Sequence, residues 1–244
     1  MKYGIVFLLW GALLDAFSYK DCVYRRAMVN DVPEILDVMN TIEQSAAHQY
    51  IPLMPYSMRA DYVENLINGK SLFIAVVPDN VVAMSMLALV PFDYFKTAMD
   101  GSYNSWASLY DAQDVFLVAD LWFTQARYRK HGICTTLLGF AFQNYVPRIK
   151  PYVHGNGPLR IHCIVDFVDQ SGDLVSRLVD MMATIFDEFS HAVQKKYFPK
   201  STHDITHSVK SFEITKSFYN SFGNDLEVAV TRPAKRYVFS AKIE

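Results

Sequence analysis

The fold is decided by one stretch of the sequence, which reads Trp122-Phe123-Thr124-Gln125-Ala126-Arg127-Tyr128-Arg129-Lys130-His131-Gly132-Ile133-Cys134-Thr135-Thr136-Leu137-Leu138. An apolar strand pattern at residues 115–123 runs into a basic loop, and helical spacing of apolar residues begins directly after Gly132. The first amides of a helix have no intrahelical acceptor, and the helix dipole places partial positive charge there. The stretch therefore predicts an anion-binding loop between a strand and a helix.

The residues of this loop follow a known pattern. Arg129-x-x-Gly132-x-Cys134 resembles the Q/R-x-x-G-x-G/A loop of the GNAT superfamily of N-acetyltransferases, whose amides hold the pyrophosphate of acetyl-CoA. Gly132 has no Cβ, so the backbone can approach a bulky anion closely. Cys134 stands where the superfamily usually has Gly or Ala.

The resemblance implies a cofactor and a way of binding it. The co-substrate is acetyl-CoA, and no metal is implied. The strand before the loop is splayed from its neighbour, so that backbone groups of Trp122, Phe123 and Thr124 pair with the pantetheine arm. The implied pyrophosphate-binding residues are Arg129, Lys130, His131, Gly132, Ile133, Cys134 and Thr135.

Composition limits the class of protein. The chain has 244 residues, of which 51% are hydrophobic, so it is long and apolar enough for one domain with a substantial core. The net charge is −2, and no cluster of Lys and Arg stands out, so we expect no nucleic-acid partner. The three cysteines, at 22, 134 and 163, form no disulfide framework, and a single pair is left open. The oligomeric state cannot be read from the sequence.

The N-terminus has the pattern of a secretory leader. Lys2 precedes an apolar run at residues 4–14, and Ala16 and Ser18 are spaced as in a cleavage site. The pattern predicts a signal peptide at residues 1–18 and a secreted or secretory-pathway domain. A buried first element or an uncleaved anchor on a cytoplasmic domain are the alternatives. The run is too short to span a bilayer comfortably, so we expect no stable membrane insertion once the leader is removed.

The order of predicted elements agrees with the resemblance. We predict strands at 22–27, 72–77, 81–89, 115–123, 159–165, 226–230 and 237–241, and helices at 31–42, 59–68, after Gly132, at 173–194 and at Glu213–Phe222. This is the GNAT order across residues 23–243 with one extra helix. The predicted fold class is α/β, a mixed, mostly antiparallel sheet splayed at the acetyl-CoA site with helices on both faces. The domain spans residues 19–244, with a helical insertion around 170–205.

Two residues are candidates for proton transfer. Tyr219 matches the Tyr of the superfamily's L-Y-x-x-x-G-F segment, where a phenol often meets the leaving sulfur. Asp120 is the only acid inside the apolar run of the central strand, and a carboxylate there needs a partner or a function. It could act as the base that relays the proton of the incoming ammonium, or it could bind an Arg or a loop amide. Weaker candidates for the base are Glu43, His48 and Asp166.

The sequence thus predicts transfer of an acetyl group from acetyl-CoA to a primary amine, on a small molecule or a peptide, by direct attack in a ternary complex. The predicted acceptor pocket lies between the loops at 44–56 and 91–113 and a turn at 232–234. The alternative is a GNAT-fold binding protein that has lost catalysis. His203 and His207 have the spacing of zinc ligands on a helix, but their polar segment lacks a helical pattern. We interpret both as solvent-exposed.

Overall fold

A computed structural model describes residues 21–42, 56–78, 80–93, 110–153, 158–168, 173–219 and 226–244. The strands in these ranges are β1 Val23–Arg26, β2 Leu72–Val77, β3 Asn80–Val90, β4 Val115–Thr124, β5 Leu159–Val168, β6 His203–Tyr219 and β7 Leu226–Ile243. The α-helices are α1 Val32–Ile42, α2 Tyr56–Asn68, α3 Ile133–Gln143 and α4 Asp173–Tyr197. Short 3-10 helices lie at Val29–Asp31, Ala126–Tyr128 and Val146–Tyr152.

The strands form one sheet in the order β1-β2-β3-β4-β5-β7-β6. Neighbouring strands are antiparallel except β4 and β5, which are parallel. Since successive side chains of a strand point to opposite faces, each strand feeds two apolar layers. One layer packs α3 and α4 on the sheet, and the other packs α1 and α2 on its opposite face. The predicted fold class is confirmed: a mixed, mostly antiparallel sheet with helices on both faces.

Helices α3 and α4 are held to the sheet by apolar side chains at helical spacing. Leu137, Leu138 and Ala141 of α3 are buried, as are Phe186 and Phe189 of α4. Beyond the end of α3, the buried hydroxyl of Tyr145 donates a hydrogen bond to the carbonyl of Leu87 in β3. A central strand and the segment after α3 are thereby fixed to each other, which holds the loop before α3 in place.

The C-terminal quarter differs from the prediction. The helix predicted at Glu213–Phe222 is wrong, because β6 runs without interruption to Tyr219. The two short closing strands are one strand, β7, and Arg232–Ala234 lies within it, so the turn predicted there is also wrong. β6 is an edge strand that is exposed along much of residues 203–209, so it lacks the apolar alternation that marks a half-buried strand.

Helix α4 confirms the helix predicted at 173–194. The sequence predicts this helix as an insertion, because it assigns the closing helix to Glu213–Phe222. That segment is strand as far as Tyr219, so among the described residues α4 is the helix that connects β5 to β6. It contributes to the same buried layer as α3, so it is part of the core of the domain.

The hairpin of β6 and β7 is longer than the strand beside it. β5 pairs with β7 only as far as Val168 opposite Ala234, while β6 and β7 continue to pair up to Tyr219 opposite Leu226. Residues 213–219 and 226–233 therefore form a two-stranded ribbon beyond the end of β5. The ribbon extends from the end of the sheet at which β4 and β5 have their C-terminal residues.

Several predictions fall outside the described residues. They are the leader at 1–18 and most of the two loops at 44–56 and 91–113, with Glu43 and His48. Within the described ranges, no helix has both the length and the apolar character that crossing a membrane requires.

Candidate active site

The parallel strands β4 and β5 separate before either of them ends. Their pairing runs from Val115 opposite Ile161 to Ala119 opposite Val165. β4 then continues for five residues to Thr124 and β5 for three residues to Val168. A register shift in β3 between Met84 and Met86 lies opposite the part of β4 that leaves β5. The splay that the resemblance implied is present at the C-terminal end of β4.

Aromatic side chains line the place where the two strands part. The rings of Trp122 in β4 and Phe167 in β5 meet edge to face, with centroids 5.4 Å apart. Phe167 meets Tyr237 of β7 in the same way at 5.5 Å. The side chain of Phe123 is buried on the opposite face, in the layer of α1 and α2. The strands are therefore bridged by side chains on one face, while their backbones no longer pair.

Two residues of the loop after β4 have a left-handed backbone conformation. Lys130 has a φ of 68° and Gly132 a φ of 75°, both in the left-handed region. Gly132 is the N-cap of α3 and, having no side chain, makes no side-chain cap to the helix start. Since the first amides of a helix have no intrahelical acceptor, those of Ile133, Cys134 and Thr135 point out of the helix start. This arrangement fits the oxygens of a phosphate or pyrophosphate.

The charged residues of the loop lie at its surface. Arg129 and Lys130 are exposed and His131 is half-buried. Arg129 Nε donates a hydrogen bond of 3.1 Å to the carbonyl oxygen of Thr124, and its guanidinium lies 5.7 Å from the centre of the Phe123 ring. The guanidinium is thus anchored to the end of β4. It also occupies the Thr124 carbonyl, one of the backbone groups assigned to the pantetheine arm.

Thr124 and Cys134 bring the end of β4 and the start of α3 together. The Thr124 hydroxyl lies beside the Cys134 thiol. That hydroxyl is buried and makes no hydrogen bond of good geometry within the described part of the chain. Burial raises the pKa of the Cys134 thiol to about 11, and the contact with Thr124 opposes this in part. The thiol is therefore protonated at neutral pH and acts here as a small side chain.

The two residues predicted for proton transfer lie in β4 and β6. Asp120 lies opposite Met86 where β4 leaves β5, but its side chain is outside the described part of the structure. Tyr219 lies in β6 and not in a helix, so the helical segment that suggested the acid is not formed. Phe212 of β6 is level with Val168, the last residue of β5. Tyr219 lies seven residues further along β6, or roughly 24 Å. Its side chain is also outside the described part, and both roles stay predictions.

Asp166, a weaker candidate for the base, is engaged elsewhere. Its two carboxylate oxygens accept hydrogen bonds from Nε and Nη2 of Arg236, which lies opposite it on β7. Arg236 is 5% exposed. Both oxygens of this carboxylate are thus engaged in an ion pair with a buried guanidinium, which assigns Asp166 a structural role.

Sequence reasoning missed a second group of polar residues at the opposite end of the sheet, where β4 and β5 begin. His162 Nδ1 lies 2.8 Å from Ser240 Oγ, and His162 Nε2 lies 3.1 Å from Asp114 Oδ2. A cavity of about 410 Å³ lies at this end of the sheet and is lined in part by Asp114 and Arg160. Asp114 lies just before β4, and His162 lies near the start of β5 opposite Ser240 of β7, so the group is remote from the loop before α3. Their cross-strand pairing could not be seen in the sequence, because they are far apart along the chain.

Comparisons with known proteins concern the fold. No family model matches the sequence, and no match is found among curated proteins. Three similar solved structures are a ribosomal-protein-alanine N-acetyltransferase from Brucella melitensis, a GNAT-superfamily phosphinothricin acetyltransferase from Sinorhizobium meliloti in complex with acetyl-CoA, and a GNAT-family acetyltransferase from Streptococcus pneumoniae.

The three comparisons cover most of each chain at low identity. The first has 16% identity, covers 91% of this chain and 99% of the other, and has a TM-score of 0.43. The second has 8% identity, coverage of 88% and 87%, and a TM-score of 0.47. The third has 11% identity, coverage of 91% and 99%, and a TM-score of 0.45. These identities are far below those at which an activity can be transferred from one protein to another.

Proposed function

We propose that this chain is an acyl-CoA-dependent N-acetyltransferase that moves an acetyl group from acetyl-CoA to a primary amine. The observation that carries the proposal is the separation of β4 from β5 after Ala119 and Val165, followed by a helix start whose N-cap, Gly132, has no side chain to cap it. The separation supplies backbone for an extended amide-bearing arm, and the helix start supplies amides for a diphosphate. Along the chain the separated strands come before the helix start, which matches the order of the pantetheine arm and the diphosphate in acetyl-CoA.

The chemistry asks little of the protein beyond orientation. The neutral amine attacks the thioester carbonyl, a C–N bond forms and the C–S bond breaks. The nitrogen loses a proton as the amide forms, and the sulfur leaves as a thiolate that takes up a proton. Holding both substrates in contact supplies much of the rate, since it removes the entropy cost of their meeting. Backbone groups at residues 122–124 would position the thioester, and the amides of Ile133, Cys134 and Thr135 would hold the diphosphate.

Proton transfer completes the proposed reaction. The incoming amine must first lose a proton from its ammonium form, and Asp120 is the carboxylate we assign to that relay. Tyr219 is the phenol we assign to protonation of the leaving thiolate, since the pKa of a tyrosine, near 10, is close to that of an alkyl thiol. Both assignments rest on the sequence pattern. The acceptor is an amine of a small molecule or of an exposed peptide.

Calorimetric titration of acetyl-CoA and CoA into the full chain tests the binding half of the proposal. Saturable 1:1 binding of both supports it, and no binding at millimolar concentration overturns it. A panel of primary amines, followed by release of the CoA thiol, then tests transfer. Cofactor binding without transfer to any amine would instead favour the inactive binding protein, the alternative from the sequence.

A further inference from the structure

Three side chains that could ligate a metal meet where α4 lies against the start of β6. Asp187 and His191 are one turn apart on α4, and His203 is the first residue of β6. One potential ligand atom from each residue lies within 4.8 Å of the other two. Asp187 Oδ1 lies 3.5 Å from His191 Nε2. This is long for a hydrogen bond between these atoms.

The proton of the His191 ring is placed by Gln194. His191 Nδ1 lies 3.2 Å from Gln194 Oε1. The amide nitrogen of Gln194 donates to the carbonyl of Ser201, so its oxygen is the atom that faces the histidine. That oxygen only accepts hydrogen bonds, so Nδ1 carries the proton. In the neutral ring the lone pair is then on Nε2, the atom that lies 3.5 Å from the Asp187 carboxylate.

The His203 ring is oriented in a similar way by Ser190. His203 Nε2 lies 2.8 Å from Ser190 Oγ. The Ser190 hydroxyl donates its own proton to the backbone carbonyl of Asp187 at 2.9 Å, and Ser190 is fully buried. The Ser190 oxygen therefore accepts from His203, and Nε2 carries the proton. The lone pair of the neutral His203 ring is on Nδ1.

The cluster is closely packed and partly open to solvent. The centres of the two imidazole rings are 4.0 Å apart. The Asp187 and His191 side chains are 51% and 56% exposed, which leaves a path for an ion and room for a water ligand.

We propose that Asp187, His191 and His203 form a binding site for a divalent transition-metal ion, with Zn²⁺ as the ion that fits best. Two ligands at 2.0–2.1 Å from a tetrahedral ion are about 3.4 Å apart, close to the Asp187–His191 separation. Water completes the coordination. Gln194 and Ser190 act as the outer partners that fix ring orientation, as is usual around metal-bound histidine. The ion would tie α4 to the edge strand β6.

This site is separate from the acetyl-CoA loop and does not depend on the proposed activity. The contact of α4 with the loop is at Met181, whose sulfur accepts a hydrogen bond of 3.2 Å from the Thr135 hydroxyl. Asp187 and His191 lie six and ten residues further along the helix, or roughly 9 and 15 Å. A failure of acetyl-CoA binding therefore says nothing about the metal, and the two proposals are tested with different ligands.

Titration of Zn²⁺ into the full chain, after removal of metal with a chelator, tests the site. We expect one ion per chain at micromolar concentration or tighter, and a loss of affinity of at least about tenfold in His191→Ala and in His203→Ala. His207→Ala is the matched control, because His207 is an exposed histidine on the same strand that is not part of the cluster. Zinc affinity equal in wild type and His203→Ala would overturn the proposal, as would no stoichiometric binding.

A second measurement separates ligation from a general effect on folding. Co²⁺ replaces Zn²⁺ and gives visible absorption bands that report tetrahedral coordination by nitrogen and oxygen. We expect these bands in wild type and His207→Ala, and not in Asp187→Asn, with the far-UV circular dichroism of all three unchanged. Gln194→Ala should weaken zinc binding by roughly 10- to 100-fold through loss of the orienting hydrogen bond. Retention of the cobalt bands in Asp187→Asn would contradict the assignment of that ligand.

Discussion

The Thr124 hydroxyl at the end of β4 lies beside the Cys134 thiol in the first turn of α3. The chain leaves the sheet and returns to it within ten residues, so the intervening loop is held at both ends. Arg129 adds a third attachment through its hydrogen bond to the Thr124 carbonyl. The amides at the start of α3 are therefore presented by a braced loop, and changes to that loop should affect cofactor binding before they affect the fold.

Replacing Gly132 should abolish binding of acetyl-CoA. Its φ of 75° is unfavourable for a residue with a Cβ, and Gly132→Val should cost about 1–2 kcal/mol of unfolding free energy. The larger effect should be on affinity, because the β-branched side chain would stand where a diphosphate must approach the backbone. Urea unfolding and calorimetry with acetyl-CoA measure the two effects.

Gly139→Ala is the control for that variant. Gly139 lies in the middle of α3, and a Cβ built there meets nothing within 4 Å. Alanine should raise the unfolding free energy by about 0.5–1 kcal/mol and leave acetyl-CoA affinity unchanged. Unchanged affinity in Gly132→Val would show that the diphosphate does not bind at this loop.

Arg129→Ala should weaken acetyl-CoA binding, and the loss should shrink as salt is added, since the contribution of an exposed guanidinium is screened. Arg127→Ala is the matched control. Arg127 is an exposed arginine two residues earlier whose guanidinium stacks on Tyr128 at 4.7 Å. Calorimetric titrations at low and high salt distinguish them. Equal losses in both variants would assign the effect to net charge and not to the position of Arg129.

The raised pKa of the Cys134 thiol should make stability depend on pH in the alkaline range. Its pKa is raised from 9.0 to about 11, so the folded state retains a proton that the unfolded state releases. The stabilisation is present below pH 9 and is lost as the pH rises from 9 to 11, by up to about 1.4 kcal/mol per pH unit.

Cys134→Ala isolates that contribution. Cys163, whose pKa is also raised by burial, is present in both proteins, so its contribution cancels. Urea unfolding at pH 8, 9 and 10 should give a steeper decline for wild type than for Cys134→Ala. Parallel declines would show that the thiol at 134 is not protected from solvent.

Tyr219→Phe tests the predicted acid directly. If the phenol protonates the leaving thiolate, the variant should lose roughly 10²-fold or more in kcat, while KM for acetyl-CoA changes little. Steady-state kinetics with an identified amine give both constants. An unchanged kcat would agree with the position of Tyr219 far along the β6–β7 ribbon and would remove it from the mechanism.

The central part of the fold could be predicted from the sequence because its patterns are local. The hairpin of β2 and β3, the strand β4, the loop and α3 all have apolar periodicity that matches the face they bury. The splay at Ala119 came from the resemblance alone, since nothing in the residues 115–123 shows where pairing with β5 stops.

The edge of the sheet could not be predicted in the same way. Among the described strands β6 pairs with β7 alone, and its side chains at residues 203, 204 and 206–208 are polar, so hydrophobic periodicity does not mark it. Misassigning it as a loop and a helix also placed Tyr219 in the wrong element. The group of Asp187, His191 and His203 could not be predicted for a related reason. The sequence pattern pairs His203 with His207 as ligands on one helix, whereas His203 lies in β6 and meets residues of α4.

The separation of β4 and β5 also sets a limit on how stable this protein can be made. Strands that part while both continue forgo hydrogen bonds that a regular sheet would form, and in the free protein water must take their place. Substitutions selected for thermostability would tend to pull the strands back together beyond Ala119 and Val165. Such variants should tolerate heat better and bind acetyl-CoA worse, the trade-off expected where a site is kept at the expense of regular pairing.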